Sequence, residues 1–168
     1  CPITPFTYAA YLSLRVLAGL SGNGKDVPRP FDINRDGFVL GEAGGVLILE
    51  NYDTAKQRGA KIYAELVGHA SNCGAYHMAA PDPSGEDAAE AMRLALAMAK
   101  IKPTDIGYIN AHGTATQLND ICEAKAINSV FGMRSSAGPL VSSTKSETGH
   151  TIGAAGAIEA ILTVMAVR

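Results

Sequence analysis

Twice along this chain a short apolar run of strand character gives way to a polar loop bearing glycine, threonine and histidine, and then to a helical stripe. The first instance is residues 106–111, a loop with His112, and a helix over 119–131; the second is residues 140–143, a loop with Lys145 and His150, and a helix over 153–167. A change of apolar period from two residues to about 3.6 specifies a strand followed by a helix. Strands that alternate with helices bury their faces as a layered α/β sheet.

The upstream half carries the same punctuation. Thr4 and Pro5 form an N-cap and first-turn pair, and Ala9, Leu12, Val16 and Leu17 recur at helical spacing, which predicts a helix to about Leu17. Residues 19–34, rich in Gly, Pro, Asn and Asp, read as a loop leading into a strand-like run over 38–50. Gly41, Gly44 and Gly45 interrupt that run, so its backbone is expected to pass close against another element. A short helix over 53–58 and a second strand over 61–70 follow. Ser84 with Asp87 resembles a capping box, and Ala88, Met92, Ala95 and Ala99 form a stripe that ends at Lys102 and Pro103.

With 168 residues and 47% hydrophobic side chains, the chain can bury a sizeable core. Its net charge of -2, without a run of like charges, points to neither nucleic acid nor membrane as a partner. The longest apolar run, 153–167, contains Glu159 and is shorter than the roughly 20 residues that cross a bilayer, so it reads as a core helix. Cys1, Cys73 and Cys122 are odd in number, widely spaced and form no Cys-x-x-Cys pair, which fits a reducing, cytoplasmic setting. No secretory signal is visible at the start. The opening at Cys1 without a methionine suggests a chain cut from something longer.

The chemistry is concentrated in the two strand-to-helix loops, where α/β folds place ligand groups. In NAHGTATQLND, residues 110–120, His112 sits at a strand exit. A lone histidine in a turn is more often structural, but here Gly113 permits close backbone approach and Thr114 and Thr116 add hydroxyls. In VSSTKSETGHTIGAAG, residues 141–156, Lys145 and His150 stand at the mouth of the apolar helix. Lys145 taken alone reads equally as a solvated loop residue, until Glu159 is considered. A carboxylate within an almost wholly apolar helix faces the interior and needs a cation, Lys145 or a bound monovalent ion, to be tolerated. Two histidines, a lysine and a buried carboxylate suit acid or base catalysis, a metal site, or stabilisation of a developing oxyanion. Zinc is the weakest of these, because no third soft ligand lies beside either histidine and Lys145 would repel a dication.

Taken in order, PFDINRDGFVLGEAGG (residues 30–45), NAHGTATQLND and STKSETGHTIGAAGAIE (residues 143–159) resemble the successive motifs of the β-ketoacyl synthase family. The resemblance spans essentially the whole chain. It implies a thiolase-like layered αβαβα fold of two pseudo-equivalent halves, with residues 1–60 ending the N-terminal half and 61–168 forming most of the C-terminal half, short of its glycine-rich loop and last strands. It also implies decarboxylative Claisen condensation of a malonyl-carrier thioester with an acyl-enzyme, in fatty acid or polyketide elongation. The implied partners are an acyl carrier protein and a second copy of the parent enzyme.

Carried over by residue, the resemblance makes His112 and His150 the pair that donates through Nε2 to the malonyl thioester oxygen. It makes Lys145, paired with Glu159, the group that tunes the site's charge, and Thr114 and Thr116 the threonines that bond the pantetheine arm. Asn110, Glu123 and Glu159 match positions that surround a monovalent cation in some members; no redox or nucleotide cofactor is implied. The family's acyl-accepting cysteine motif does not occur here. Cys1 precedes Ile-Thr-Pro and Cys122 lies within a helix, neither being the nucleophile's context. The chain alone is therefore expected to be inactive in condensation. A smaller departure is Gly-Glu-Ala-Gly-Gly at 41–45, where Gly-Glu-Gly-Ala-Gly is usual. The competing reading is a non-condensing homologue that sets chain length as a partner subunit, against which the retained histidines and lysine weigh.

Overall fold

The computed structural model describes residues 2–19, 28–132 and 138–167. Cys1, part of the loop expected over 19–34, and Arg168 lie outside these residues. Helix α1 (Pro5–Ser13) begins as its sequence demands: Thr4 is extended, its side chain accepts from the Thr7 amide, and Pro5 occupies the first turn. It ends four residues before Leu17, because Arg15 takes a left-handed backbone (φ 55°) and Leu17 instead bridges Phe38 in parallel.

The run over 38–50 forms no regular ladder among the described residues. Isolated parallel bridges join Leu17 to Phe38 and Leu40 to His150. The glycines do mark close approach. A Cβ at Gly41 would lie 2.2 Å from the Thr148 carbonyl oxygen, and one at Gly45 would lie 3.1 Å from Ile161. At Gly44 a Cβ would meet nothing within 4 Å, so the shifted glycine at 41–45 alters local packing only slightly. The run over 61–70 also lacks a ladder, and its Gly68 abuts the Ala95 carbonyl, 2.4 Å from where a Cβ would stand.

Helix α2 (Tyr52–Gln57) is capped by the Asn51 side chain, and α3 (Glu86–Ala99) packs on α4 (Gln117–Phe131). The expected capping box at Ser84 is replaced by a different start. Gly85 is left-handed at the N-cap, Ser84 Oγ accepts from the Glu86 amide, and the Asp87 carboxylate lies against Gly74. Gly85 is needed there because a Cβ would strike the Cys122 carbonyl oxygen at 2.3 Å as well as opposing the positive φ of 75°.

Strands β1 (Tyr108–Asn110) and β2 (Leu140–Ser142) pair in parallel, with Asn110 opposite Ser142. A short helix α5 (Lys145–Thr148) and a 3₁₀ turn (Ile152–Ala154) lead into α6 (Ala155–Ala166), which replaces the single helix expected from 153. Helices and a small parallel sheet thus fit the α/β expectation. The fully buried larger side chains among the described residues are Lys145, Thr151 and Asp120, all polar: Asp120 in the first turn of α4, Lys145 at the start of α5 and Thr151 between α5 and the 3₁₀ turn.

Candidate active site

Because β1 and β2 are parallel neighbours, the loops after Asn110 and Ser142 leave the same end of the sheet. This brings His112 and His150 together, with ring centroids 5.3 Å apart and planes at 87°. Both line a cleft of about 500 Å³ with Thr114, Thr116, Phe38, Gly37 and Arg15. The Phe38 ring stands edge-on to His150 at 4.8 Å and forms its apolar side.

Separate devices hold each imidazole. The His112 and Gly113 amides donate to the two carboxylate oxygens of Glu123 at 2.6 and 2.7 Å. Gly113 is obligatory: its φ is 40°, and a Cβ would meet Ser143 at 2.4 Å and the Phe31 ring at 3.0 Å. The His150 backbone is stitched to the extended segment, its amide donating to Val39 and its carbonyl accepting from Gly41 at 2.7 and 3.0 Å.

Lys145 is a buried residue and not a solvated one. It is 1% exposed, and its ammonium donates to the His112 carbonyl at 2.7 Å, approaches His112 Nδ1 at 3.2 Å and pairs with the Glu159 carboxylate. The pairing expected from a carboxylate in an apolar helix is therefore present, with Glu159 17% exposed.

These bonds fix both tautomers. An ammonium beside His112 Nδ1, and the Ile152 amide donating to His150 Nδ1 at 3.1 Å, make each Nδ1 an acceptor and leave the ring proton on Nε2. The Ile152 amide reaches that nitrogen through a left-handed backbone, φ 52°, unusual for a β-branched residue and of the kind stored at functional sites. Burial, then the Lys145 charge, lowers the pKa of both histidines, that of His150 to about 4. Both imidazoles are neutral Nε2–H donors near pH 7.

Thr114 and Thr116 share a hydrogen bond of 2.9 Å between hydroxyls and both face the cleft. Asn110 donates to the Glu159 carbonyl and the Thr163 hydroxyl at 3.2 Å, Glu123 holds the two loop amides, and Glu159 holds Lys145. Each of these three residues is thus engaged with protein groups of the two loops and α6. Cys122 is buried in α4, and burial raises its pKa, which keeps it a thiol and removes it as a nucleophile.

Residues 63–168 match the family model for the beta-ketoacyl synthase C-terminal domain. The chain belongs to the β-ketoacyl synthase family. It is 49% identical over 165 residues to the 3-oxoacyl-(acyl-carrier-protein) synthase 2 of Synechocystis sp., covering 98% of this chain and 39% of that protein. To the protein of that name from Staphylococcus aureus it is 44% identical, covering 99% of this chain and 41% of the relative. Among solved structures it resembles a type II PKS ketosynthase bound to the hexaketide in complex with its acyl-carrier protein (TM-score 0.92, 42% identity, 98% of this chain and 40% of that one). It also resembles the ishigamide ketosynthase/chain length factor (TM-score 0.89, 37% identity, 99% and 39% of the two chains). The chain thus spans about 40% of the length of the synthases it matches.

Sequence reasoning does not single out four participants of the site region. Phe38 has the character of a strand residue, Ile152 lies in a polar loop, and nothing in the sequence pairs the charges of Arg35 and Asp120. The Arg-Asp-Gly-Phe string at 35–38 held the signal for two of them, but an arginine in a loop reads as solvated unless its partner is known.

Proposed function

We propose that this chain is the C-terminal portion of a 3-oxoacyl-acyl-carrier-protein synthase that condenses a malonyl-carrier thioester with an acyl-enzyme in fatty acid or polyketide elongation. The observation that carries the reading is the convergence of His112 and His150, both with Nδ1 occupied, around the Lys145–Glu159 pair. In this reading the two Nε2–H groups donate to the thioester oxygen of the malonyl group. The bond between the α-carbon and the carboxylate breaks, CO2 leaves, and its electron pair becomes an enolate whose negative oxygen lies between the imidazoles. The enolate carbon then attacks the acyl-cysteine carbonyl and expels the thiolate. Each preorganised donor is worth about 3 kcal/mol of barrier.

The reactive cysteine of that acyl-enzyme belongs to sequence outside this chain, so the chain alone is inactive in condensation. The finer architecture we infer is the two-half layered αβαβα arrangement, divided near residue 60, and the start of the family match at 63 supports that boundary. The parent is a cytoplasmic homodimer that takes its substrates from an acyl carrier protein, and no described helix is long and apolar enough to cross a membrane. A structural relative in complex with its acyl-carrier protein supports that partner. No redox or nucleotide cofactor enters the reaction, and no step uses a cation. Relatives that are ketosynthase/chain length factor pairs keep the chain-length subunit in view. The intact histidine pair favours the condensing reading.

The test is His112→Ala in the full-length enzyme, assayed for CO2 release from malonyl-carrier thioester and for acylation of the cysteine by intact mass. Decarboxylation is expected to be lost while acylation survives; normal decarboxylation would refute the assignment.

A further inference from the structure

The loop that bears Thr114 and Thr116 is strained, since Ala115 is fully buried with φ 63°, a region that costs a residue with a Cβ about 1 kcal/mol or more. Something must hold it. Arg35, 9% exposed, lays its guanidinium against the start of α4, donating to the Thr116 carbonyl at 3.2 Å, the Gln117 carbonyl at 2.9 Å and the Asp32 carbonyl at 2.8 Å. The Gln117 side chain returns a bond of 2.5 Å to the Arg35 carbonyl. Asp120, 2% exposed, sits 3.6 Å from the guanidinium and accepts from the Ala115 amide at 3.1 Å and the Phe31 amide at 2.7 Å. The Gly37 amide closes the other side on the Ala115 carbonyl at 2.9 Å.

We propose that Arg35 and Asp120 are positioning residues that clamp the 114–116 turn into the shape in which its threonine hydroxyls receive the amide-bearing arm of the carrier-borne substrate. The proposal rests on the reading above of that arm as a pantetheine. None of the Arg35 bonds reaches His112, His150, Lys145 or Glu159, which are held by Glu123, by residues 39–41 and by one another. Asp120 touches that set at one point, through the Asn119 side chain, which donates to both Asp120 and Glu123 at 3.1 and 3.3 Å, so the test is made at Arg35. A planar fork serving three carbonyls is a task for arginine and not for lysine. The clamp therefore governs how the arm is gripped and leaves the oxyanion donors in place.

The experiment compares decarboxylation by full-length wild type and Arg35→Lys on two substrates, malonyl-carrier protein and malonyl S-methyl thioester, which has no arm for the threonines to hold. Arg35→Lys is expected to raise KM for the carrier-borne substrate about tenfold or more, with kcat changed less, and to leave turnover of the methyl thioester near wild type. An equal loss on both substrates, which a merely structural role produces, overturns the proposal, as does an unchanged KM. Should Arg35→Lys fail to fold, Gln117→Ala removes the returned bond alone and is expected to show the same selectivity at smaller size; equal effects on both substrates overturn the proposal there too. If wild type decarboxylates neither substrate, the functional reading itself fails, a result distinct from failure of the clamp.

Discussion

Replacing Glu159 by alanine removes the carboxylate from an ammonium that is 1% exposed, leaving Lys145 with the His112 carbonyl at 2.7 Å and the His112 Nδ1 at 3.2 Å. Breaking a buried ion pair from one side costs about 3–5 kcal/mol, because the surviving charge is stranded away from water. Two features reduce the cost here. Glu159 is 17% exposed, so water reaches the pair's edge, and the ammonium keeps both His112 acceptors. A hydrogen bond to a charged group contributes about 1.5–3 kcal/mol, which brings the expected loss to about 2–3 kcal/mol. In a domain of 150–250 residues that lowers Tm by about 4–12 °C. The deciding assay is a double-mutant cycle of Glu159→Ala, Lys145→Met and both, followed by urea denaturation. Lys145→Met leaves a carboxylate that water can reach, so it costs less than Glu159→Ala. The double variant is expected to be more stable than the summed losses imply by about 1 kcal/mol or more. Strict additivity, or an unchanged urea midpoint in Glu159→Ala, refutes the pair.

Acidification gives a second prediction. The folded pKa of His150 lies near 4 and that of His112 below its ordinary value, so the native state binds fewer protons than the unfolded chain. Stability is present above about pH 6.5 and is lost as pH falls toward 4. Glu123, raised by burial, opposes this, since its contribution grows as pH falls through its folded value. The urea midpoint is expected to drop on acidification and to drop less in His150→Asn; equal slopes contradict the assignment. At Gly41, alanine places a methyl 2.2 Å from the Thr148 carbonyl oxygen and disturbs the bond from Gly41 to the His150 carbonyl. It is expected to cost about 1–3 kcal/mol and to slow decarboxylation, while Gly44→Ala, with open space, does neither. The chain by itself exposes Val46 (82%), Ile48 (85%), Leu49 (74%) and Leu66 (72%) on the runs over 38–50 and 61–70, and it is expected to associate. A monodisperse monomer in light scattering contradicts that.

What the sequence made legible was local or topological. Thr4–Pro5 placed the start of α1, the glycines of 41–45 announced backbone contact, and the switch of apolar period located the elements on either side of both loops. What escaped was fixed by distant partners. The runs over 38–50 and 61–70 have strand composition, but a ladder requires a neighbour, and alternation cannot supply one. The end of α1 depended on Arg15 adopting positive φ so that Leu17 could meet Phe38. Within the site, Glu159 was legible because a carboxylate in an apolar helix demands a partner. Arg35 was not, because three of its bonds go to carbonyls, which leave no mark in side-chain chemistry.

The parallel pairing of β1 with β2 explains why residues so far apart in sequence form one centre. Parallel strands need a crossover, here α4, and the loops that follow adjacent strands emerge at the same sheet end, so His112 and His150 are delivered there by topology alone. Topology does not set ring orientation or protonation. Those follow from Lys145 and the Ile152 amide at each Nδ1, and the loop shape from Glu123 and from the Arg35–Asp120 clamp. Because these supports have different anchors, their losses should separate. A change at Glu159 or Lys145 shifts charge and stability, a change at Gly41 moves one imidazole, and a change at Arg35 alters the grip on the arm. A centre built as one inseparable network would instead lose all three together.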